Sequence, residues 1–163
     1  MFIDREIFPE TYRRVSDIAA CRPELQALET LWQRMRGDRG LPSRRDFDPV
    51  EVPRLLSRMF LIDVLPGASP ERRYRVRLTG TELVVMLGRD WTGRFLHEFS
   101  DLAAADHLVG VVDQVVADRM PFIFSGNFYR PRDKSTCRSE SILLPLAEDD
   151  GDVNMIIGVA IIF

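Results

Sequence analysis

Residues 73–93 read RYRVRLTGTELVVMLGRDWTG, and this stretch decides the fold. Its first part predicts a strand, because Tyr74, Val76 and Leu78 alternate with three arginines. A period of two places the apolar side chains on one face and the charged side chains on the other, as in a half-buried strand. Gly80 follows and ends the strand.

The second part of the stretch predicts a short helix between turns. We expect Thr81 to cap this helix, and its inward side chains to be Leu83, Val84 and Leu87. Gly88 and Gly93 flank Trp91 and permit turns in which a larger residue would be strained. The stretch contains no nucleophile, metal-ligand spacing or phosphate loop. We therefore expect it to form the wall of a binding or sensory module.

Composition indicates a single soluble domain with an accessory segment. The chain has 163 residues, 45% of them hydrophobic and 29% charged, with a net charge of −3. This charge gives no general attraction to nucleic acid or to an anionic membrane. The first ten residues do not form a secretory signal, and no apolar run reaches the roughly 20 residues that span a bilayer. Cys21 and Cys137 fit no zinc or redox spacing, so we expect reduced thiols and a cytoplasmic location.

The remaining periodicity predicts two major helices and four further strands. An apolar stripe at helical spacing starts at residue 24 and ends before Gly37; its members are Leu25, Leu28, Leu31, Trp32 and Met35. A short helix is predicted over residues 49–57 behind Asp48 as its cap, and a long helix over residues 101–119. The further strands are predicted at residues 59–65, 122–130, 135–146 and 154–163, the last two as a hairpin.

This order of elements predicts an α+β domain with an antiparallel sheet. We divide the chain into an N-terminal helical segment, residues 1–40, which acts as a cap or dimerisation element, and a main domain, residues 41–163.

Several stretches resemble a PAS domain. They are LWQRMRG at 31–37, LPSRRDFDP at 41–49, LIDVL at 61–65, YRVRLTGTEL at 74–83, GRDWTGRFL at 88–96 and SESILLPL at 139–146. The chain looks most like the short single-domain PAS-like proteins of alphaproteobacteria, over roughly residues 30–163. The resemblance implies a five-stranded antiparallel sheet, with helices over one face enclosing a small pocket. It also implies a role in sensing a ligand or redox state, or in dimerisation.

Two strands are apolar on both faces. Residues 60–65 and 155–163 do not alternate, and such strands need cover on both sides. The helices between residues 80 and 119 can cover one face. The other needs the N-terminal helix, a second subunit, or both. We predict a homodimer whose contact contains Leu25, Leu28, Trp32 and Met35; the alternative is cover from within the chain alone.

A ligand pocket is predicted between the helices and the sheet. The side chains expected to converge there are Tyr74, Leu83, Leu87, Trp91, Phe95, Leu108, Val112, Phe122, Phe124 and Phe128. They could line an apolar cavity with Tyr74 or Trp91 as a polar handle, or fill a solid core. Gly126 leaves a gap between two phenylalanines, which favours the cavity.

Neither haem nor covalent flavin chemistry is favoured. His107 lies on the long helix, where some haem-binding PAS domains place their iron ligand. It falls about 130° from the centre of that helix's apolar stripe, so we expect it to face solvent or the helix shoulder. A covalent flavin photosensor needs a cysteine on the helical segment after the second strand, and this segment has none. Cys137 is expected to be a buried thiol, and non-covalent flavin stays open.

Three further groups are weaker candidates. His97 and Glu98 suggest acid–base chemistry, but no nucleophile accompanies them, so a surface pair is favoured. An acidic group lacks the ligand spacing of a calcium loop and is interpreted as a hairpin turn; it comprises Glu148, Asp149, Asp150 and Asp152. A basic patch is suited to an acidic partner or to phosphate groups; it comprises Arg34, Arg36, Arg39, Arg44 and Arg45.

Together these features predict a non-catalytic, cytoplasmic sensory or regulatory domain in bacterial signal transduction. It is expected to bind a small apolar ligand, a protein partner, or both, and to pass its signal to an unidentified signalling protein. The alternatives are a ligand-free interaction or dimerisation module, a small α+β enzyme and a haem-binding sensor. No nucleic-acid or membrane partner is expected.

Overall fold

The computed structural model describes residues 12–99, 105–130 and 133–163, and the side chains of residues 13–98, 108–127 and 133–163. The helices are α1 Pro23–Arg36, α2 Thr81–Leu87 and α3 Ala105–Asp118. The strands are β1 Tyr12–Arg14, β2 Met59–Val64, β3 Tyr74–Thr79, β4 Phe122–Arg130, β5 Ser135–Ala147 and β6 Val153–Ile162. Single 3₁₀ turns connect several of them.

The six strands form one antiparallel sheet in the order β1-β4-β5-β6-β2-β3. The predicted α+β class with an antiparallel sheet is confirmed. The sheet has one strand more than the five expected, because residues 12–14 pair with β4 and cover part of its edge. The opposite edge is β3, where Val76 accepts a hydrogen bond from Gly93 N and donates one to Arg94 O.

Strand register determines which residues share a face, because directly paired residues of antiparallel strands point to the same side. Tyr74 pairs with Val64, and Ile62 pairs with both Val76 and Ile156. The Tyr74 hydroxyl bonds to Asp113 on α3. This face therefore points towards α3, and we call it the inner face.

Helix α1 covers the opposite, outer face. The backbone N–H of Arg22, which caps α1, donates to Glu140 on β5, and Trp32 Nε1 donates to the carbonyl of Pro145 at 2.9 Å. Ile142 and Leu144 share this face with Glu140 and are completely buried. Helix α1 thus covers the outer face of β5 and β6, and α3 packs on β5 from the inner side.

This cover removes the argument that led to a dimer contact on α1. Leu25, Leu28 and Trp32 are at most 3% exposed in the single chain, and Met35 packs half-buried against the same core. The alternative, intramolecular cover, accounts for the apolar strands without a second subunit. A homodimer stays a prediction, and it needs a surface other than these buried side chains.

Three local expectations are corrected. A bulge in β3 shifts the pairing between Leu61 and Ile62, so Leu78 falls on the outer face, where it is 44% exposed. Gly80 caps α2, and Thr81 is its first helical residue.

The third correction concerns residues 49–57. They form no continuous helix but two 3₁₀ turns, Pro49–Glu51 and Leu56–Arg58, separated at Pro53, whose ring disfavours a continuous helix. Asp48 caps the first turn as predicted. None of the helices in the described ranges combines the length and apolar character needed to cross a membrane.

Candidate functional site

Four of the predicted pocket residues are buried in the core of the domain. Tyr74, Trp91, Val112 and Phe124 are each no more than 7% exposed and belong to one hydrophobic core. They come from four different segments: β3, the loop after α2, α3 and β4. Their shared part in a ligand pocket stays a prediction, because the same core also contains residues of α1 on the other side of the sheet.

Three more predicted residues lie at the margin of this core. Leu87, Leu108 and Phe122 are partly buried and pack against it. Arg14 of β1 lies with its guanidinium 4.4 Å from the centre of the Phe122 ring, which places a charge at this side. The margin is therefore less tightly closed than the centre.

Two predicted pocket residues lie elsewhere. Leu83 is buried on α2, outside the main core cluster. Phe95 forms an isolated bridge with Arg75, whose side chain is on the outer face, and the Arg72 guanidinium lies 5.9 Å from its ring centre. The side chains of Phe128 and His107 are not among those that the structure describes. The predictions for Phe128 in a pocket and for His107 in haem binding therefore concern side chains outside the described set.

Sequence analysis missed an acidic partner of Tyr74. The Tyr74 hydroxyl donates a short hydrogen bond to Asp113 Oδ1, and Arg73 Nη1 lies 3.9 Å from the same oxygen. Burial, and then the hydrogen bond to the Asp113 carboxylate, raise the pKa of Tyr74 far above its ordinary value. Tyr74 therefore stays a neutral donor and ties the edge strand to α3.

Small and polar residues on the inner face were missed as well. Ser139 and Ser141 are each 7% exposed, and they pair with Gly126 and Phe124, respectively. These serines alternate with charged residues, a pattern that is typical of a solvent-exposed strand. The structure instead buries Ser139 and Ser141 on the inner face of the sheet. The Ser139 hydroxyl donates to the Gly126 carbonyl at 3.5 Å, the outer limit for a hydrogen bond.

The candidate acid–base pair is not assembled as a site. His97 is exposed on a 3₁₀ turn, and Glu98 Oε2 accepts a hydrogen bond from Phe95 N at 2.9 Å. Glu98 thereby caps its own turn. In the described part of the chain, no three potential ligands among His, Cys, Asp and Glu are grouped to hold a metal ion.

The acidic hairpin has a structural role. Asp149 and Asp150 adopt positive φ angles in the turn, and Asp150 Oδ1 accepts from Leu41 N at 2.9 Å. This hydrogen bond is the main cause that lowers the pKa of Asp150. The turn thus holds the loop that follows α1.

Three of the five arginines of the basic patch form ion pairs within the chain. Arg34 pairs with Glu51, Arg39 with Asp46 and Arg45 with Asp149, at distances of 2.5, 2.7 and 3.0 Å, respectively. The two remaining members, Arg36 and Arg44, lie over the rings of Trp32 and Phe47. These ring contacts leave both charges in place, so the binding of an acidic partner or of phosphate groups by the patch stays a prediction.

Comparison with known proteins agrees with this architecture. A family model described as a PAS domain matches residues 21–161. A light-oxygen-voltage domain from work with a flavin analogue is similar with a TM-score of 0.51 and 15% identity, over 69% of this chain and 81% of that chain. The PAS domain of BvgS from Bordetella pertussis is similar with a TM-score of 0.51 and 16% identity, over 85% and 87% of the two chains. At these identities the structural likeness shows the fold alone. No curated protein sequence matches the chain.

Proposed function

The chain belongs to the PAS domain family, whose members are generally sensory signalling modules, and on that premise we propose that it is a non-catalytic sensor. Its ligand would be a small, mostly apolar molecule with one polar group, held between α3 and the inner face of β4 and β5. We further propose that it acts in the cytoplasm and passes its signal to a protein partner.

The observation that carries this proposal is the position of Ser139. Its hydroxyl is buried on the face that α3 covers, yet its hydrogen bond to Gly126 O is 3.5 Å long. A buried hydroxyl usually has a well-formed partner, because leaving it without one costs free energy. A ligand carbonyl or N–H beside Ser139 would supply a better bond, and Gly126 leaves room for the ligand because it has no side chain.

The surrounding side chains suit an apolar ligand body. Val112 of α3 and Phe124 of β4 are buried in the same core, and Leu108 lies at its margin. A molecule bound there would push α3 away from the sheet, and the Tyr74–Asp113 bond would transmit this movement to β3. No cofactor is assigned, and covalent flavin attachment after β3 is not part of the proposal. Cys21 is buried beside α1, whereas Cys137 on β5 is half-buried and not fully buried as expected.

Two measurements on the purified full chain test the proposal. Native mass spectrometry with an absorption spectrum detects a retained ligand and any chromophore. A two-dimensional ¹H–¹⁵N NMR titration with indole, an apolar probe with one N–H donor, detects an accessible site. We expect indole to shift the amide signals of Gly126 and Ser139, and Gly126→Val to abolish the shifts by filling the space.

Gly110→Ala is the matched control, because a Cβ at Gly110 would meet no atom within 4 Å apart from its chain neighbours and the backbone of α3 itself. It should bind indole like the wild type. A wild-type protein that carries no ligand and shows no indole shifts at these residues would contradict the proposal. Equal indole binding by Gly126→Val would contradict it as well.

A ligand-free interaction module is the second candidate function. Leu56, Leu78 and Val85 are exposed large apolar residues, at 39%, 44% and 66%. Leu56 lies in the turn before β2, and Leu78 is the second-last residue of β3. Val85 belongs to α2, which packs on the turn containing Leu56. This function predicts no indole site, but loss of partner or self-association when Val85 is changed to serine.

A further inference from the structure

The outer face of β3 is open to solvent beyond the area that α1 covers. Helix α1 packs on β5 and β6, whereas β3 is the edge strand on the far side of β2. The register pairs Arg75 with Asp63. It also pairs Leu78 with Leu61, so all four side chains lie on the outer face. The side chains of Arg75 and Arg77 are 39% and 60% exposed, and Leu78 is 44% exposed.

Two guanidinium groups converge here on one carboxylate oxygen. Arg75 Nη2 lies 3.1 Å from Asp63 Oδ2, and Arg77 Nη1 lies 3.7 Å from the same atom. The Asp63 side chain is only 10% exposed, so this carboxylate faces the arginines from the sheet and not from solvent. Each guanidinium carries five N–H donors, more than one carboxylate can accept from two arginines. The cluster therefore keeps one net positive charge and donors for a second acidic group.

A second carboxylate would complete this cluster. Carboxylates accept paired hydrogen bonds from a guanidinium, and such charge-assisted bonds are roughly twice as strong as neutral ones. A second carboxylate would also relieve the repulsion between the two arginines, which Asp63 offsets only in part. Arg72 adds positive charge at the same edge, since its guanidinium lies over the ring of Phe95, which forms a bridge with Arg75.

An apolar side chain lies beside the cluster at a defined spacing. Asp63 and Leu61 are two residues apart in β2, so their partners Arg75 and Leu78 are separated by about 7 Å along the sheet. In an extended segment, residues i and i+2 point to the same side with this separation. An acidic and an apolar residue at these positions would contact the arginines and Leu78 at once.

These features favour a protein segment over other occupants. Small-molecule sites are clefts or cavities, whereas these side chains stand side by side on a sheet face. A second copy of this face would bring arginines against arginines, which like charges disfavour. The net charge of −3 gives no general attraction for nucleic acid.

We propose that this arginine face, which consists of Arg75, Arg77 and Leu78, binds an acidic segment of the protein partner. The proposal deepens the sensor function proposed above and rests on it for the existence of a partner. The partner presents a carboxylate to both guanidiniums and an apolar side chain to Leu78.

The test is a ¹H–¹⁵N NMR titration of the 163-residue chain with acetyl-Glu-Ser-Leu-Ser-Glu-amide. This probe places a glutamate two residues from a leucine in both directions. We expect saturable shifts of the amide signals of Arg75, Arg77 and Leu78. The matched peptide acetyl-Gln-Ser-Leu-Ser-Gln-amide keeps the shape without the charge, and it should bind about fivefold more weakly.

Variants of the arginine face test the assignment. Arg77→Gln and Leu78→Ser should each weaken binding of the acidic peptide about threefold, through a lost ion pair and a lost apolar contact, respectively. Both variants should stay folded, because the two side chains are exposed. Arg13→Gln is the control: it removes the same charge from β1, at the opposite edge of the sheet, and should leave peptide binding unchanged.

Several outcomes would overturn the proposal. They are no saturable shift with the acidic peptide, equal binding of the glutamine peptide, or wild-type affinity in both Arg77→Gln and Leu78→Ser. Shifts confined to residues 34–45 would assign the acidic partner to the basic patch instead. Tighter binding of an oligothymidylate at the arginine face would indicate nucleic acid as the partner, and a dimer that Leu78→Ser dissociates would indicate a second copy.

The peptide and indole titrations fail separately. A negative result with the peptide leaves indole binding at Gly126 and Ser139 untouched, so it removes the arginine face and not the ligand site. Peptide binding without indole binding would support the arginine face and remove the sensor function.

Discussion

The hydroxyl of Tyr74 on β3 donates a hydrogen bond to Asp113 Oδ1 on α3, and this bond connects an edge strand to the helix that covers the sheet. Tyr74 is 4% exposed, whereas the Asp113 side chain is about half exposed. The bond thus lies at the boundary between the core and the solvent. It is the polar contact through which movement of α3 would reach β3.

Replacing Tyr74 with phenylalanine should destabilise the protein by about 1–2 kcal/mol. The ring keeps its packing, but a hydrogen bond to a charged acceptor is lost. Urea denaturation followed by far-UV circular dichroism measures the change. Asp113→Asn is the control, because it retains an oxygen acceptor and should cost less. Equal stability of Tyr74→Phe and the wild type would show that the bond contributes nothing.

The raised pKa of Tyr74 predicts a loss of stability at high pH. In the unfolded chain a tyrosine ionises near pH 10, whereas burial and the nearby Asp113 carboxylate keep the folded Tyr74 protonated well above this. Its contribution is therefore fully present below about pH 10 and is lost as the pH rises through the folded pKa.

Two measurements check this pH dependence. The difference in absorbance at the tyrosinate band between wild type and Tyr74→Phe should stay flat through pH 10 in the folded state. The stability advantage of the wild type should fall above pH 10. A normal tyrosinate signal near pH 10 in the difference spectrum would contradict the burial and bonding of Tyr74.

A second tight contact involves Gly158 in the middle of β6. A Cβ there would lie 2.2 Å from Phe60 Cζ and 2.6 Å from the Ile142 carbonyl oxygen. Gly158→Ala should cost about 2–3 kcal/mol, because overpacking of a filled core forces neighbours to move. Thermal unfolding measures the loss.

Two further variants separate the causes of this loss. Adding Phe60→Leu should recover part of the stability, since the ring can be removed but the backbone carbonyl of Ile142 cannot. Gly110→Ala should stabilise by roughly 0.5–1 kcal/mol, because α3 has open space at that position and alanine is the better helix former. A neutral Gly158→Ala variant would mean that β6 is loosely packed.

The long elements were predictable from periodicity, but the edges and irregularities were not. β1 has three residues, two of them arginine, so it shows no alternation, and its pairing with β4 is decided by tertiary contact. The bulge in β3, opposite Leu61 and Ile62, moves the Leu78 side chain to the outer face, and no local sequence pattern predicts it. Alternation of apolar and polar residues predicts the face of a side chain only where no bulge shifts the strand register.

The candidate site was half predictable for a similar reason. Apolar side chains such as Val112 and Phe124 are recognised by spacing, since burial of one face sets the period. The sequence pattern predicts that Asp113, next to Val112 on a helix, faces solvent. It likewise predicts that Ser139 belongs to a solvent-exposed strand. Their roles depend on elements far along the chain: Tyr74 is 39 residues before Asp113, and Ser139 lies 13 residues beyond Gly126.

The cover of the outer face by α1 leads to a prediction that separates folding from assembly. Leu28 is 1% exposed beneath the sheet of its own chain. Leu28→Ala should therefore destabilise by roughly 2–5 kcal/mol, through lost burial and a cavity, without changing the molar mass in solution. Urea denaturation and light scattering coupled to size-exclusion chromatography measure the two quantities.

An exposed residue on the same sheet face provides the control for Leu28→Ala. Leu78→Ser should alter stability by less than about 1 kcal/mol, because Leu78 is 44% exposed. If α1 instead formed a dimer contact, Leu28→Ala would halve the mass of the particle while leaving the monomer folded. The unfolding midpoint would then also depend on protein concentration, since subunit association stabilises the folded state by mass action. A well-folded Leu28→Ala monomer from a dimeric wild type would thus restore α1 as an interface.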